Sequence, residues 1–118
     1  MAESALDGLQ LLPKHRRLLE KVVPILRREL GDNLVKLLLY GSVARGEATE
    51  ESDVDLAAVV REPLSWQQED RLGQKLYPAE LEERTFLCVF YLTETDYERR
   101  ASAGFGWCHA IRAEGVEL

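Results

Sequence analysis

The chain has 118 residues, 46% hydrophobic and 31% charged, with 15 Lys+Arg against 21 Asp+Glu and a net charge of −6. This is the composition of a folded globule, read as one domain over residues 1–118 with a flexible leading segment 1–12, and it excludes a disordered tail. The acidic balance also argues against general nucleic-acid binding, and the longest wholly apolar run, Phe86 to Leu92, is far below the roughly 20 residues that span a bilayer. The start, MAESALDG, carries Glu3 and no basic stretch, so it does not read as a secretory signal. Cys88 and Cys108 sit among apolar neighbours without C-x-x-C spacing and read as buried, reduced thiols, which makes the expected compartment cytoplasmic.

From the N-terminus, Leu18, Leu19, Val22, Val23, Ile25, Leu26 and Leu30 recur at helical spacing. Pro13 suits the first turn of that helix and Gly31 followed by Asp32-Asn33 its stop, while Pro24 inside it predicts a kink or a break. Leu34 to Tyr40 is a short apolar run ending at Gly41, the pattern of a buried strand. Val54 to Val60 is a second. Ser65 and Gln68 form a capping box that opens a helix over Trp66 to Tyr77, closed or restarted by Pro78. Thr85 to Leu92 is a third strand. Thr95 and Glu98 repeat the capping-box spacing and predict a helix from about Asp96, interrupted by Gly104 and Gly106. A last turn or two, Trp107 to Ala113, ends at Gly115. The result is a small α/β (α+β) domain, a short mixed sheet flanked by helices.

Charge is unevenly spread. Residues 14–28 carry Lys14, Arg16, Arg17, Lys21, Arg27 and Arg28 against Glu20 alone, whereas residues 47–83 are strongly acidic. Two readings stand side by side: solvated helix faces, or a basic face that meets an acidic partner.

The chemistry concentrates in residues 37–60, LLLYGSVARGEATEESDVDLAAVV. Gly41 has no side chain, so a phosphate can approach its backbone closely. Ser42 offers a hydroxyl at an expected helix N-terminus, where free N–H groups favour anions. Residues two apart on a strand share a face, so Asp53 and Asp55 project together, as a hard cation such as Mg²⁺ requires. Either feature alone is common. Their combination at this spacing, with Arg45-Gly46 and Ser52 between, is specific.

Gly41, Ser42, Ala44, Arg45, Gly46, Ser52, Asp53, Val54, Asp55 and Leu56 make the sequence resemble the DNA polymerase beta-like nucleotidyltransferase superfamily, and within it the minimal nucleotidyltransferase (MNT) domains. The ending AIRAEGVEL is similar to those of many stand-alone MNT domains. The resemblance implies a nucleoside triphosphate, ATP as the expected one, held by Gly41 and Ser42 with Mg²⁺ on Asp53 and Asp55, and transfer of a nucleoside monophosphate to a hydroxyl. Arg45 is then a phosphate contact or a loop anchor through Glu47, Glu50 or Glu51, and Ser52 a nucleotide-side residue. Active relatives usually add a third carboxylate from a later strand. Thr85 to Leu92 holds none; Cys88 stands near that place, and Glu80, Glu82 or Glu83 are alternative third ligands if the strand starts earlier.

The chain is short for an acceptor domain, so the expected acceptor is a partner, and the resemblance implies a HEPN-type helical protein in a toxin–antitoxin pair. The competing reading is an inactive MNT-fold module that neutralises such a partner by contact. Modification of a small molecule, such as an aminoglycoside, is disfavoured on the same ground. His15 and His109 read as structural or exposed, Tyr97 as core cover, and Trp66, Tyr91, Phe105 and Trp107 as core or interface. The GFGW stretch is a candidate edge for self-association.

Overall fold

The computed structural model describes residues 5–102 and 111–118. The first long helix, α1, spans Pro13–Leu30, followed by strand β1 at Leu34–Tyr40, a short helix α2 at Gly41–Arg45 and strand β2 at Val54–Val60. Helix α3 covers Trp66–Glu83, strand β3 Leu87–Thr93, helix α4 Glu94–Ser102 and strand β4 Val116–Glu117. The four strands form one mixed sheet in the order β3-β2-β1-β4. β1 runs antiparallel to β2 and β4, and β2 runs parallel to β3.

The central strand β2 is apolar on both sides and sorts its residues by alternation. Val54, Leu56, Ala58 and Val60 pack with Leu18, Leu19, Val22 and Leu26 of α1 and Leu72 and Leu76 of α3. Ala57 and Val59 face the other way, toward Tyr97 of α4 and Ile111. Tyr97 is buried there, with Lys36 Nζ 4.8 Å from its ring centroid. Leu6, in the short 3₁₀ turn Ala5–Gly8, also joins the larger cluster.

The two prolines expected to kink or end a helix sit inside continuous ones, Pro24 in α1 and Pro78 in α3. Each is on the exposed side, where the carbonyl left without its N–H partner meets water while the inner face stays packed. α3 therefore runs past Tyr77 to Glu83 and ends at Arg84, which takes the left-handed conformation at φ 52°. Thr85 lies in the turn, its N–H donating to the Glu80 carbonyl, so β3 starts two residues later than the sequence predicts. Thr93, not Thr95, caps α4, accepting the Asp96 N–H at 3.2 Å.

The basic residues of α1 find partners within the chain. Arg17 donates to Glu83 at 2.8 Å, and Lys21 to Glu82 and Glu83 at 2.6 Å each. Arg16 pairs with Asp7 and Glu20, and Lys14 with Glu50. Much of the basic face is thus the complement of the acidic end of α3. No helix among the described residues is long and apolar enough to cross a membrane. Gly104, Phe105, Gly106, Trp107, Cys108 and His109 lie outside the described residues.

Candidate active site

The end of β1 and the start of β2 meet because the two strands are antiparallel, with Tyr40 opposite Asp55. The chain turns at Gly41, which has φ +79°, and enters α2 at once. A Cβ built on Gly41 would lie 2.6 Å from Oδ2 of Asp55, so at this positive φ any side chain would strain the turn and push the carboxylate aside. The N–H groups of the first turn of α2, Ser42 among them, have no partner further back in the helix.

Asp53 is exposed just before β2 and Asp55 is half-buried two residues on. Burial first, and then the charge of Asp53, pushes the Asp55 carboxyl above its ordinary pKa. Among the described residues neither carboxylate has a hydrogen-bonding or cationic side chain against it, so the pair is uncompensated. Two crowded carboxylate oxygen donors without a counter-ion are the donor set that suits Mg²⁺, which is held by one or two carboxylates with water and substrate phosphates completing its shell. Asp53 and Asp55 would hold it.

Between them the loop is tied down from within. Arg45 donates to Glu47 at 2.7 Å and to Glu114 at 3.4 Å, anchoring α2 to the loop and to the C-terminal segment. Ser52 closes the turn 49–52, its Oγ accepting from the Thr49 N–H at 2.9 Å and its N–H donating to the Thr49 carbonyl at 3.0 Å. Beneath this loop lies His15, fully buried, with neither ring nitrogen in hydrogen-bonding geometry. Burial lowers its pKa, outweighing the opposing pull of the Ser52 backbone. Of the two sequence readings of His15, structural or exposed, the structure bears out the first, since His15 continues the inner stripe of Leu18, Leu19, Val22 and Leu26.

Glu80, Glu82 and Glu83 stand on the last turn of α3 rather than on a strand, and all three are engaged. Glu82 and Glu83 take Lys21 and Arg17, while Glu80 accepts the Leu87 N–H at 2.8 Å. The β3 residue in register with Asp55 is Cys88. It is exposed and free, not buried as its apolar neighbours predict, because β3 is the sheet's outer strand. Partial burial of its sulfur, then Asp55, Asp53 and Glu80, raise the thiol's pKa. Among the described residues no three of His, Cys, Asp and Glu gather as a metal site. Tyr91 is half-buried, its hydroxyl pushed up to about 12 by burial and Glu69. Trp66 is exposed on α3, away from the core.

Known proteins are similar to parts of this chain. Spectinomycin 9-adenylyltransferase of Enterococcus faecalis is 38% identical over 60 residues, 51% of this chain and 24% of that protein. A candidate protein adenylyltransferase of Methanocaldococcus jannaschii is 39% identical over 44 residues, 37% of this chain and 30% of that protein. The chain thus spans about a quarter to a third of these curated relatives. A crystal structure of a toxin–antitoxin with AMP-PNP superposes with a TM-score of 0.61 over 90% of this chain and 72% of that one, at 19% identity, a likeness of fold. Residues 19–103 match the nucleotidyltransferase domain, a stretch that takes in the Gly41-Ser42 turn, the aspartate pair and all three strands that frame them. The chain belongs to the nucleotidyltransferase domain family.

Proposed function

We propose that this chain transfers a nucleoside monophosphate, AMP from ATP, to a hydroxyl of a partner macromolecule in the cytoplasm. The observation that carries the reading is the pair Asp53 and Asp55, uncompensated among the described residues, beside the left-handed glycine turn at Gly41. In the reaction the acceptor oxygen forms a bond to the α-phosphorus, the bond to the bridging oxygen breaks, and pyrophosphate leaves as the hydroxyl proton is lost. Mg²⁺ on Asp53 and Asp55 supplies charge neutralisation of the triphosphate. Gly41 and Ser42 present backbone N–H groups and a hydroxyl to the phosphates, and Arg45 and Ser52 keep the intervening loop in shape. Two comparisons support a macromolecular acceptor: a relative named for protein adenylylation, and a fold neighbour that is a toxin–antitoxin with AMP-PNP. We assign the partner as a HEPN-type helical protein and this chain as its antitoxin.

One observation favours a second reading, an inactive module that neutralises the partner by contact. The position opposite Asp55 on β3 is Cys88, and among the described residues no third carboxylate joins the pair, where the resemblance leads one to expect one.

The test is to incubate the chain with Mg²⁺, labelled ATP and the protein encoded beside it, and to measure a mass gain of one AMP on that protein. Loss of transfer in Asp53→Ala and Asp55→Ala supports the enzyme; transfer that persists in both removes the site assignment. Inhibition of the partner without any mass gain selects the second reading. In a parallel incubation with spectinomycin in place of that protein, label on spectinomycin would move the acceptor to a small molecule.

A further inference from the structure

Helix α3 presents two faces of different character. Inward, Leu72, Leu76 and Ala79 are in the core. Outward, Trp66, Tyr77 and Leu81 remain 74%, 54% and 58% exposed, and Phe86 just beyond the helix is 74% exposed. Trp66, Gly73, Tyr77 and Leu81 follow one another at intervals of seven, four and four, so they form a single stripe. Apolar side chains lined up this way on a helix mark a contact surface rather than scattered exposure.

Gly73 sits in the middle of that stripe. A Cβ there would meet nothing within 4 Å among the described residues, so no contact with them calls for glycine. Glycine in a helix interior costs roughly 1 kcal/mol relative to alanine. What it provides is a saddle between Trp66 and Tyr77, part of a depression of about 630 Å³ that Gln74 also lines. A second depression, of about 340 Å³, continues the first past Tyr77 to Leu81, Arg84 and Phe86.

Charge identifies the occupant. Glu69, Asp70 and Glu80 flank the stripe, and among the described residues none of them meets a cation. Asp70 accepts only the Gln74 amide and Glu80 only a backbone N–H. On the opposite edge of the same helix, Glu82 and Glu83 are fully matched by Lys21 and Arg17. Arg84 lines the far end of that edge, and Arg100 lines a separate depression with Glu69 without pairing with it. Two copies packed antiparallel through this stripe would bring Glu69 of one near Glu80 of the other, which is repulsive. An anionic lipid surface meets the same objection.

We infer that the outer face of α3, from Trp66 to Leu81, docks an amphipathic helix of a partner protein whose apolar stripe is flanked by lysine and arginine. The stripe is about 22 Å long, the length of a helix of about 15 residues. The exposed side chains and their counterparts bury on the order of 1,000 Å², the size of a weak, reversible complex. The inference stands apart from the nucleotide chemistry and needs neither Mg²⁺ nor ATP.

The experiment titrates the full chain with fluorescently labelled synthetic helices of about 18 residues, leucine at three-and-four spacing and lysine on both flanks. One comparison peptide carries glutamate in place of lysine, and another has the leucines scrambled. The lysine peptide binds in the micromolar range and each comparison at least about tenfold more weakly. Trp66→Ser with Tyr77→Ser lowers its affinity at least about tenfold. Glu69→Lys with Glu80→Lys reverses the preference, so the glutamate peptide binds better. Equal binding of the scrambled peptide, or an unchanged order after the charge reversal, overturns the inference. So does sedimentation that shows the free chain as a dimer dissociated by Tyr77→Ser, which would assign the stripe to a second copy. All four substitutions are at exposed positions or the helix edge; if the aromatic pair fails to fold, the charge reversal decides.

Discussion

Glu82 and Glu83, at the end of α3, face Lys21 and Arg17 of α1, whereas Asp53 and Asp55, at the start of β2, face no cation among the described residues. The two acidic pairs are of similar size and are treated in opposite ways. Lys21 first and then Arg17 hold the buried Glu83 below the ordinary carboxylate range, while burial and Asp53 push Asp55 above it. The first pair is finished by folding. The second keeps an electrostatic cost among the described residues, one that the proposed Mg²⁺ would relieve, and this contrast is what distinguishes the seam from the proposed site.

Asp55→Asn breaks the comparison at its most costly point. We expect Mg²⁺-dependent ATP binding to fall on the order of 100-fold or more, measured by calorimetry. Stability moves the other way. A carboxyl whose folded pKa lies above its unfolded value of 3.8 favours the unfolded state once pH rises past that value, and fully so above the folded pKa. At neutral pH the asparagine variant without ligand therefore melts at a higher temperature than the parent. A lower melting temperature would show that Asp55 is paired after all.

Glu83→Gln tests the finished pair and should lower the melting temperature by several degrees, because two cations lose a buried partner. The sign with pH is opposite to that of Asp55. With a folded pKa below its ordinary value of 4.5, Glu83 stabilises the chain above that value, and the contribution is lost as pH falls through the depressed pKa. Urea midpoints measured from neutral to acid pH should thus fall more steeply in the parent than in the glutamine variant. Parallel curves would mean that the seam is decorative.

Why one pair was legible in the sequence and the other was not has a physical reason. Asp53 and Asp55 announce themselves because strand alternation is local, and β1 and β2 begin and end where the apolar runs do. The role of Glu83 depends on α1 lying beside α3, with Arg17 placed 66 residues away in sequence, which no local pattern contains. Pro78 misleads for the same reason: its penalty is local, while the packing of Leu76 and Ala79 that carries α3 through it is tertiary. The end of α3 then decides where Glu80 sits and places Cys88 opposite Asp55. β4 is two residues long, too short for any periodicity, and is made a strand by pairing with Leu38 and Leu39.

His15 sharpens the comparison beneath the loop that joins the two halves of the site. Its nitrogens are buried with no partner in hydrogen-bonding geometry among the described residues, although the Ser52 backbone pulls on the ring. His15→Leu should therefore raise stability by about 1 kcal/mol at neutral pH, read from urea denaturation. Burial depresses its pKa below 6.5, so the parent keeps this part of its stability above that value. It loses stability as pH falls through 6.5 toward the depressed pKa, because the unfolded chain takes up the proton first. The leucine variant should lack that slope. A slope that survives would assign it to another group.

The smallest effect is expected at Arg45. Its bonds to Glu47 and Glu114 are exposed, and exposed pairs are screened and contribute little. Arg45→Gln should therefore leave the melting temperature almost unchanged and alter the KM for ATP at most a few-fold. The measurement discriminates because the two roles of the side chain differ in their salt dependence. If Arg45 only anchors the loop, the glutamine variant keeps the parent's dependence of KM on ionic strength. If its guanidinium binds phosphate, removing that charge flattens the dependence. A rise in KM on the order of 100-fold together with a flattened salt response would place Arg45 with Asp53 and Asp55, among the charges that folding leaves for a ligand.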